Sequence, residues 1–388
     1  MMYRINILTA GESHGKCLIG IIEGVPAHLE LGVGDFRDDA KRRRMGIGRS
    51  SRMKKEDCDV EILSGVRLGK TTGAPITIRI ENAVYQDWRD VMQIEAGEGS
   101  EAISIPRPGH ADFTGSMKFG LADIRDVIER ASGRETATRC ALGTIAKVFL
   151  RKLGIEIISR PLVIGDVRFE YGILHPSNRE LPQGLSQIKQ ESEKKYNENS
   201  EKLVALRKSL EDKGDTVGGI FQVITYGVPV GLGSYTQAEK RIDARLGYSI
   251  LSIPSVKAFG AGAIFAKECA NGLDYIDGFD IDAEGISRKS NNLGGIEGGI
   301  TNGEPIILTG ILKPVPTTRT SIQSVDLDKM IKTDSLYENA DIWVVEPAGV
   351  IAEGQVALIL MDAVLEKFGG DSIKEIEDRF TGRGFNNN

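Results

Sequence analysis

Histidine and cysteine are scarce in this 388-residue chain, with four of each. Cys17, Cys58, Cys140 and Cys269 lie far apart and form no C-x-x-C pair, which argues against a structural zinc and a disulfide framework and fits a reducing cytosol. No metal site is expected. Long apolar runs are missing too. The opening MMYRINILTAGESHG is too short in apolar residues for a signal peptide or a membrane span, and no other stretch reads as long enough to cross a bilayer. No G-x-G-x-x-G lies between a strand and a helix, which removes a Rossmann site. The absence of G-x-x-x-x-G-K-(S/T) and of clustered aspartates counts against a kinase or a magnesium-dependent phosphatase. Excess positive charge is also lacking: Lys and Arg number 49 against 55 Asp and Glu, a net charge of −6. The whole molecule therefore repels nucleic acid and anionic membrane, and any anion site must be local.

What is present suits a globular protein: 40% hydrophobic and 27% charged residues, with 46 glycines. The length exceeds the usual single core, leaving one large domain or two packed halves open. Two segments, Thr71 to Ile78 and Thr301 to Leu308, share the pattern T-x-G-x-P-I-x-(I/L). They read either as two pseudo-related halves of one 1–388 domain or as a turn-Pro-strand pattern met twice by chance.

Tyr3 to Thr9 reads as a buried strand. Further strands are expected at Val60–Leu63, Ile76–Ile80, Ile155–Ile158, Ile220–Tyr226 and Ile306–Leu312, separated by turns rather than by regular helices. A helix is expected from Thr136 to Leu153 behind the S-x-x-E capping box of Ser132 to Glu135, and another from Val350 to Phe368, apolar on most faces and so sandwiched between layers. Residues 187–212, dense in Glu, Lys, Gln and Asn, read as an exposed charged helical excursion without chemistry. The expected fold class is α+β: a layered β-α-β sandwich with antiparallel sheets around central helices.

Four constellations could carry chemistry. Lys41 to Lys55 holds Lys41, Arg42, Arg43, Arg44, Arg49, Arg52, Lys54 and Lys55 with no acid among these positions. It is a solvated or nucleic-acid-binding face, or, broken by Gly46 and Gly48, a loop that brings Arg43 and Arg49 onto one anion. His14 and His110 sit in glycine-bounded loops beside serine and arginine, where imidazole can exchange protons near neutrality, whereas His28 and His175 read as surface residues. Arg130, Ala131 and Ser132, with Arg134, stand at the start of the capped helix, where free N–H groups suit a phosphate or make an ordinary cap. Asn291 to Ile300 is a pair of β-turns or a backbone wall against a flat ring.

Taken in order, these stretches resemble the chorismate synthase family over nearly the whole chain. The matching segments are GESHG at Gly11 to Gly15, RR-x-x-x-x-GR ending at Arg49, RPGHAD at Arg107 to Asp112, ERASGRETATR at Glu129 to Arg139, GDTVGG at Gly214 to Gly219, NNLGGIEGGITNGEPI from Asn291, and KPVPTT from Lys313. The resemblance implies a lyase of the shikimate pathway and aromatic amino-acid biosynthesis. Its reaction is the anti 1,4-elimination of phosphate from 5-enolpyruvylshikimate-3-phosphate to chorismate, redox-neutral yet dependent on reduced FMN.

The resemblance further implies that His14 protonates the departing phosphate, His110 protonates the reduced flavin, and Asp341 acts with the flavin in removing the ring proton. Ser13, Arg43, Arg49 and Arg134 would hold substrate, Arg43 and Arg49 also being the positions assigned to the nicotinamide cofactor. FMN contacts would come from Arg130, Ala131, Ser132, Pro254, Ser255, Gly298, Lys313, Pro314, Val315, Pro316, Thr317 and position 339. NADPH or an external flavin reductase would supply electrons, and a cytoplasmic homotetramer is implied. Four positions depart from the family pattern: Asn339 stands where an arginine is usual, Pro254-Ser255 replaces Asn-Ala, and Ile47 replaces a tyrosine.

Overall fold

The computed structural model describes residues 2–50, 59–97, 100–171, 184–267, 269–282, 285–336 and 340–382. In Cys17–Glu23 and Ile76–Glu81 every second residue is buried, so Leu18, Ile22, Ile76, Ile78 and Ile80 face inward. These two strands centre a four-stranded antiparallel sheet in the order Asn6–Ala10, Cys17–Glu23, Ile76–Glu81, Val60–Ile62. A second antiparallel sheet runs Val256–Ala261, Ile306–Leu312, Gly219–Tyr226, Glu156–Ile164, Val167–Arg168.

Two helices fill the space between the sheets. Thr136–Lys152 packs on the first sheet, Val345–Phe368 lies on the second, and the two pack against each other. Glycine sets their distance at the crossing, since a Cβ on Gly143 would fall 2.3 Å from Gly354 Cα. The fold is thus α+β, with antiparallel sheets layered around central helices as expected.

Local differences from the sequence reading have physical causes. The Val345–Phe368 helix begins five residues before Val350, because Pro347 falls in its first turn, where a missing N–H costs nothing. It also has the length and apolar content to cross a membrane, against the expectation that no stretch does, but its apolar window is wholly buried among the layers. The first strand is Asn6–Ala10, and it is not buried: it lies at the sheet edge with Leu8 65% exposed. The charged excursion is a pair of helices, Gly184–Glu198 and Ser200–Lys213, anchored by buried Ile188, Leu203 and Leu210.

The two T-x-G-x-P-I segments have matching surroundings. Thr71 Oγ1 donates to Pro26 O at 2.6 Å and accepts from Leu29 N at 2.9 Å, while Thr301 Oγ1 donates to Pro229 O at 2.6 Å and accepts from Leu232 N at 2.9 Å. Ile76 pairs with Ile22, and Ile306 with Thr225, two residues before Gly24 and Gly227 respectively. Both glycines have positive φ, and a Cβ there would strike the carbonyl of Arg4 at 2.2 Å or of Gly154 at 2.1 Å. We propose on these shared contacts that the chain is one domain of two related halves.

Candidate active site

His14 leaves the first strand on a loop tied to the helix Arg125–Ala131. Glu129, near the end of that helix, accepts from the His14 backbone N–H at 2.6 Å and from ring Nδ1 at 2.7 Å. The indole of Trp88 stacks on the imidazole, with centroids 3.9 Å apart. With Nδ1 given to the carboxylate, proton exchange with a ligand falls to Nε2.

His110 is placed by its own motif. Gly109 turns the chain at φ +81, and Asp112, fully buried at the start of helix Asp112–Phe119, binds Arg107 through backbone N at 3.0 Å, Nε at 2.8 Å and Nη2 at 3.1 Å. His110 Nε2 lies 2.7 Å from Thr317 Oγ1, and Lys313 Nζ donates to Gly109 O at 2.9 Å. Burial and then the positive charge of Arg107 push the His110 ring down to about 4, with Lys313 adding to the effect and Asp112 opposing it. The ring is therefore neutral at pH 7 in the absence of ligands.

Arginines converge from other elements. Arg43, in the last turn of helix Arg37–Arg44 and 3% exposed, donates to Gly133 O and Thr136 Oγ1, each at 3.2 Å. Arg49 pairs with Asp341 at 2.5 Å, and the same carboxylate accepts from Ser50 N at 2.7 Å. Arg134 donates to Asn82 Oδ1 and, at 3.2 Å, to Glu81 O. Ser132 Oγ donates to Ser13 Oγ at 3.1 Å.

His14, His110, Glu129, Arg107, Arg43, Arg49, Arg134, Asp341, Ser13, Ser50, Ser132, Lys313 and Thr317 border one cavity of about 390 Å³. Its charged lining is Arg43, Arg49, Arg107, Arg134 and Lys313 against Glu129 and Asp341, a local positive excess in an acidic chain. Ile128, Ile253, Val315, Val344 and Ile351 add an apolar wall. Such a space can hold multiply charged anions beside a flat apolar ring, with two imidazoles and a carboxylate facing them.

The cavity gathers His14, His110, Asp341, Ser13, Arg43, Arg49, Arg134, Ala131, Ser132, Pro254, Ser255, Lys313, Val315, Pro316 and Thr317. Pro314 is exposed outside its lining. Gly298 lies in the exposed turn between Ile296–Glu297 and Ile300–Thr301 and does not line it. Asn339 and His175 lie outside the described residues, as do Arg52, Lys54 and Lys55.

Arg130 also points elsewhere, donating to Thr9 O at 3.1 Å, Thr9 Oγ1 at 2.9 Å and Gly11 O at 3.2 Å. Arg130 and Ala131 end the Arg125–Ala131 helix rather than open the long one, and Ser132 caps a separate 3-10 turn, Gly133–Glu135. The capping box is not closed either, because Glu135 accepts from Thr9 Oγ1 at 3.1 Å instead. The basic run is not one face: Arg43 and Arg49 line the cavity, while Arg42, half-buried, turns to the buried Glu353.

Sequence reading passed over Glu129, Trp88 and Ser50. Glu129 was visible as part of ERASGRETATR; Trp88 and Ser50 carry no signal until the fold places them.

A family model described as chorismate synthase matches residues 5–365. The chain is 43% identical over 391 residues to chorismate synthase of Chloroherpeton thalassium, covering 98% of this chain and 100% of that one. It is 41% identical over 385 residues to the enzyme of Streptococcus uberis, covering 96% and 97% of the two chains. A crystal structure of chorismate synthase superposes with a TM-score of 0.77 at 34% identity, covering 98% of each chain. With family model, relatives and solved structure in agreement over nearly the full length, the chain belongs to the chorismate synthase family of lyases.

Proposed function

We propose that this enzyme catalyses the anti 1,4-elimination of phosphate from 5-enolpyruvylshikimate-3-phosphate to chorismate, with reduced FMN and without net redox change. The observation that carries the reading is the single cavity in which His14, His110 and Asp341 meet five cations. The substrate bears two carboxylates and a phosphate, so Arg43, Arg49 and Arg134 suit its anionic groups, with Ser13 beside the phosphate. Lys313, Ser132, Ala131, Pro254, Ser255 and Val315 to Thr317 suit the flavin. The donor set fits it, since a cation, hydroxyls and apolar walls border the same space. Bound there in reduced form, FMN would supply transient electron density to the substrate.

The chain's own residues manage the protons. His14, oriented by Glu129 and capped by Trp88, delivers a proton from Nε2 to the leaving phosphate. Asp341, paired with Arg49, takes part in removing the ring proton. Burial first, and then the charge of Arg107, keep His110 neutral; an anionic group bound beside the ring would oppose the second of these and favour a proton held beside the flavin. The reading extends to a cytoplasmic homotetramer of aromatic amino-acid biosynthesis, supplied with electrons by NADPH or by a separate flavin reductase.

Mixing the protein, dithionite-reduced FMN and 5-enolpyruvylshikimate-3-phosphate without oxygen should yield chorismate and phosphate in equal amounts. No chorismate, or phosphate release without formation of the diene, overturns the reading.

A further inference from the structure

The loop that carries Arg49 is held from both sides. Beneath it, Gly48 lies on the Trp343 ring, where a Cβ would come within 2.4 Å of Cδ2, and Gly46, at φ +127, lies against Glu346. Ile342 N donates to Gly48 O at 2.9 Å. Above it come two side chains of the charged helical pair, Gly184–Glu198 and Ser200–Lys213. Ile47 N donates to Tyr196 Oη at 3.2 Å, and Arg207 Nη1 donates to Ile47 O at 2.5 Å and to Arg49 O at 3.3 Å.

Both holding residues are themselves fixed. Tyr196 Oη donates to Glu346 Oε1 at 2.6 Å, which also accepts from Trp343 Nε1 at 3.2 Å, and Arg207 Nε donates to Glu211 at 2.9 Å. The contacts are to backbone atoms, so they do not depend on which side chain stands at position 47.

We propose that Tyr196 and Arg207 are positioning residues for the reaction: they clamp the 46–49 backbone so that Arg49 meets Asp341 and an anionic group of the substrate. The proposal rests on the reading above only in taking Arg49 as a substrate contact. A four-residue loop with two glycines has wide backbone freedom. Fixing it in advance removes an ordering cost from binding, and a shift of about 1 Å in such a group is enough to lower a rate substantially.

Tyr196→Phe removes the hydroxyl and keeps the ring that stacks on Phe169 at 6.1 Å, and Arg207→Gln removes the fork. In each variant, amide exchange of residues 46–50 should accelerate by about tenfold, the effect of losing roughly 1.4 kcal/mol of hydrogen bonding. KM for the phosphorylated acid should rise by about tenfold, while the Kd for oxidised FMN stays within about twofold. Arg207→Lys should recover part of the loss, and Lys208→Gln on the same helix should change nothing.

Unchanged exchange at 46–50 overturns the proposal. So does a parallel loss of substrate affinity, FMN affinity and Tm, which would make the helical pair a general support of the fold. If the unaltered protein forms no chorismate, the functional reading falls, and the exchange measurement still decides the clamp.

Discussion

Arg42 and Arg43 are neighbours on one helix and do opposite things. Arg42 turns inward to Glu353, bonding through Nη1 at 2.8 Å and through Nη2, and meets Asp39 at 3.1 Å. Lys147 completes this closed cluster, with Nζ 2.8 Å from Asp39 and 2.7 Å from Glu353, and Ser159 donates to Glu353 through its backbone N at 2.7 Å and its hydroxyl at 2.6 Å. Burial by itself pushes Glu353 up, but Arg42 and Lys147 outweigh it and hold the carboxyl well below the usual range. Arg43 instead contacts neutral oxygens, Gly133 O and Thr136 Oγ1, and faces the cavity. Arg42 is bound to carboxylates inside the protein, whereas Arg43 borders the cavity in which a ligand anion would lie. The direction of the side chain thus separates a residue of stability from a residue of binding where sequence position does not.

The largest expected effect breaks the closed cluster. Arg42→Ala takes one of the two cations described above from Glu353 and Asp39 and should cost about 3–5 kcal/mol of stability, measured by denaturant unfolding. A loss under about 1 kcal/mol would mean that the cluster is not the closed unit described. The double change Arg42→Met with Glu353→Leu removes both charges together and should be less damaging than the sum of the single changes by about 1 kcal/mol or more; simple additivity would show the two uncoupled.

Arg43→Gln should reverse the pattern. KM for the phosphorylated acid should rise about 10- to 100-fold, in line with losing one charge-assisted contact, with a stability change of no more than about 1 kcal/mol. If its unfolding matched that of Arg42→Ala, the distinction between the two arginines would collapse.

A further test concerns His110, whose ring is partly buried in the cavity beside Arg107. Its folded value of about 4 lies below the ordinary 6.5, so the unfolded chain binds a proton first and stability falls as pH drops from about 6.5 through 4. His110→Asn should flatten the stability profile across that window, as read from Tm against pH. A profile unchanged by the substitution would place the ring in ordinary solvent.

Much of this was legible from residue order. Strand patterning marked strands of both sheets but missed Cys17–Glu23 at the centre of the first and Val256–Ala261 at the edge of the second, and glycine-bounded histidines marked the two loops that meet in the cavity. Less visible was anything depending on distant partners: that Arg42 belongs to Glu353, that Arg130 turns back to Thr9, or that Arg125–Ala131 is its own helix. The charged excursion is the clearest case. Its composition announces an exposed helix, and nothing local distinguishes Tyr196 and Arg207 from their solvated neighbours until the fold lays them over Ile47 and Arg49. Asn339, read from the resemblance as a departure from the family pattern, lies outside the described residues.

The central claim is that imidazoles in a cationic cavity govern the protons of the elimination, and an anaerobic single turnover with saturating reduced FMN tests it most directly. Chorismate formation by His14→Ala should be slower by at least about 100-fold, the scale of a lost general acid, with FMN affinity unchanged. A rate within about twofold of the unaltered enzyme would contradict the account.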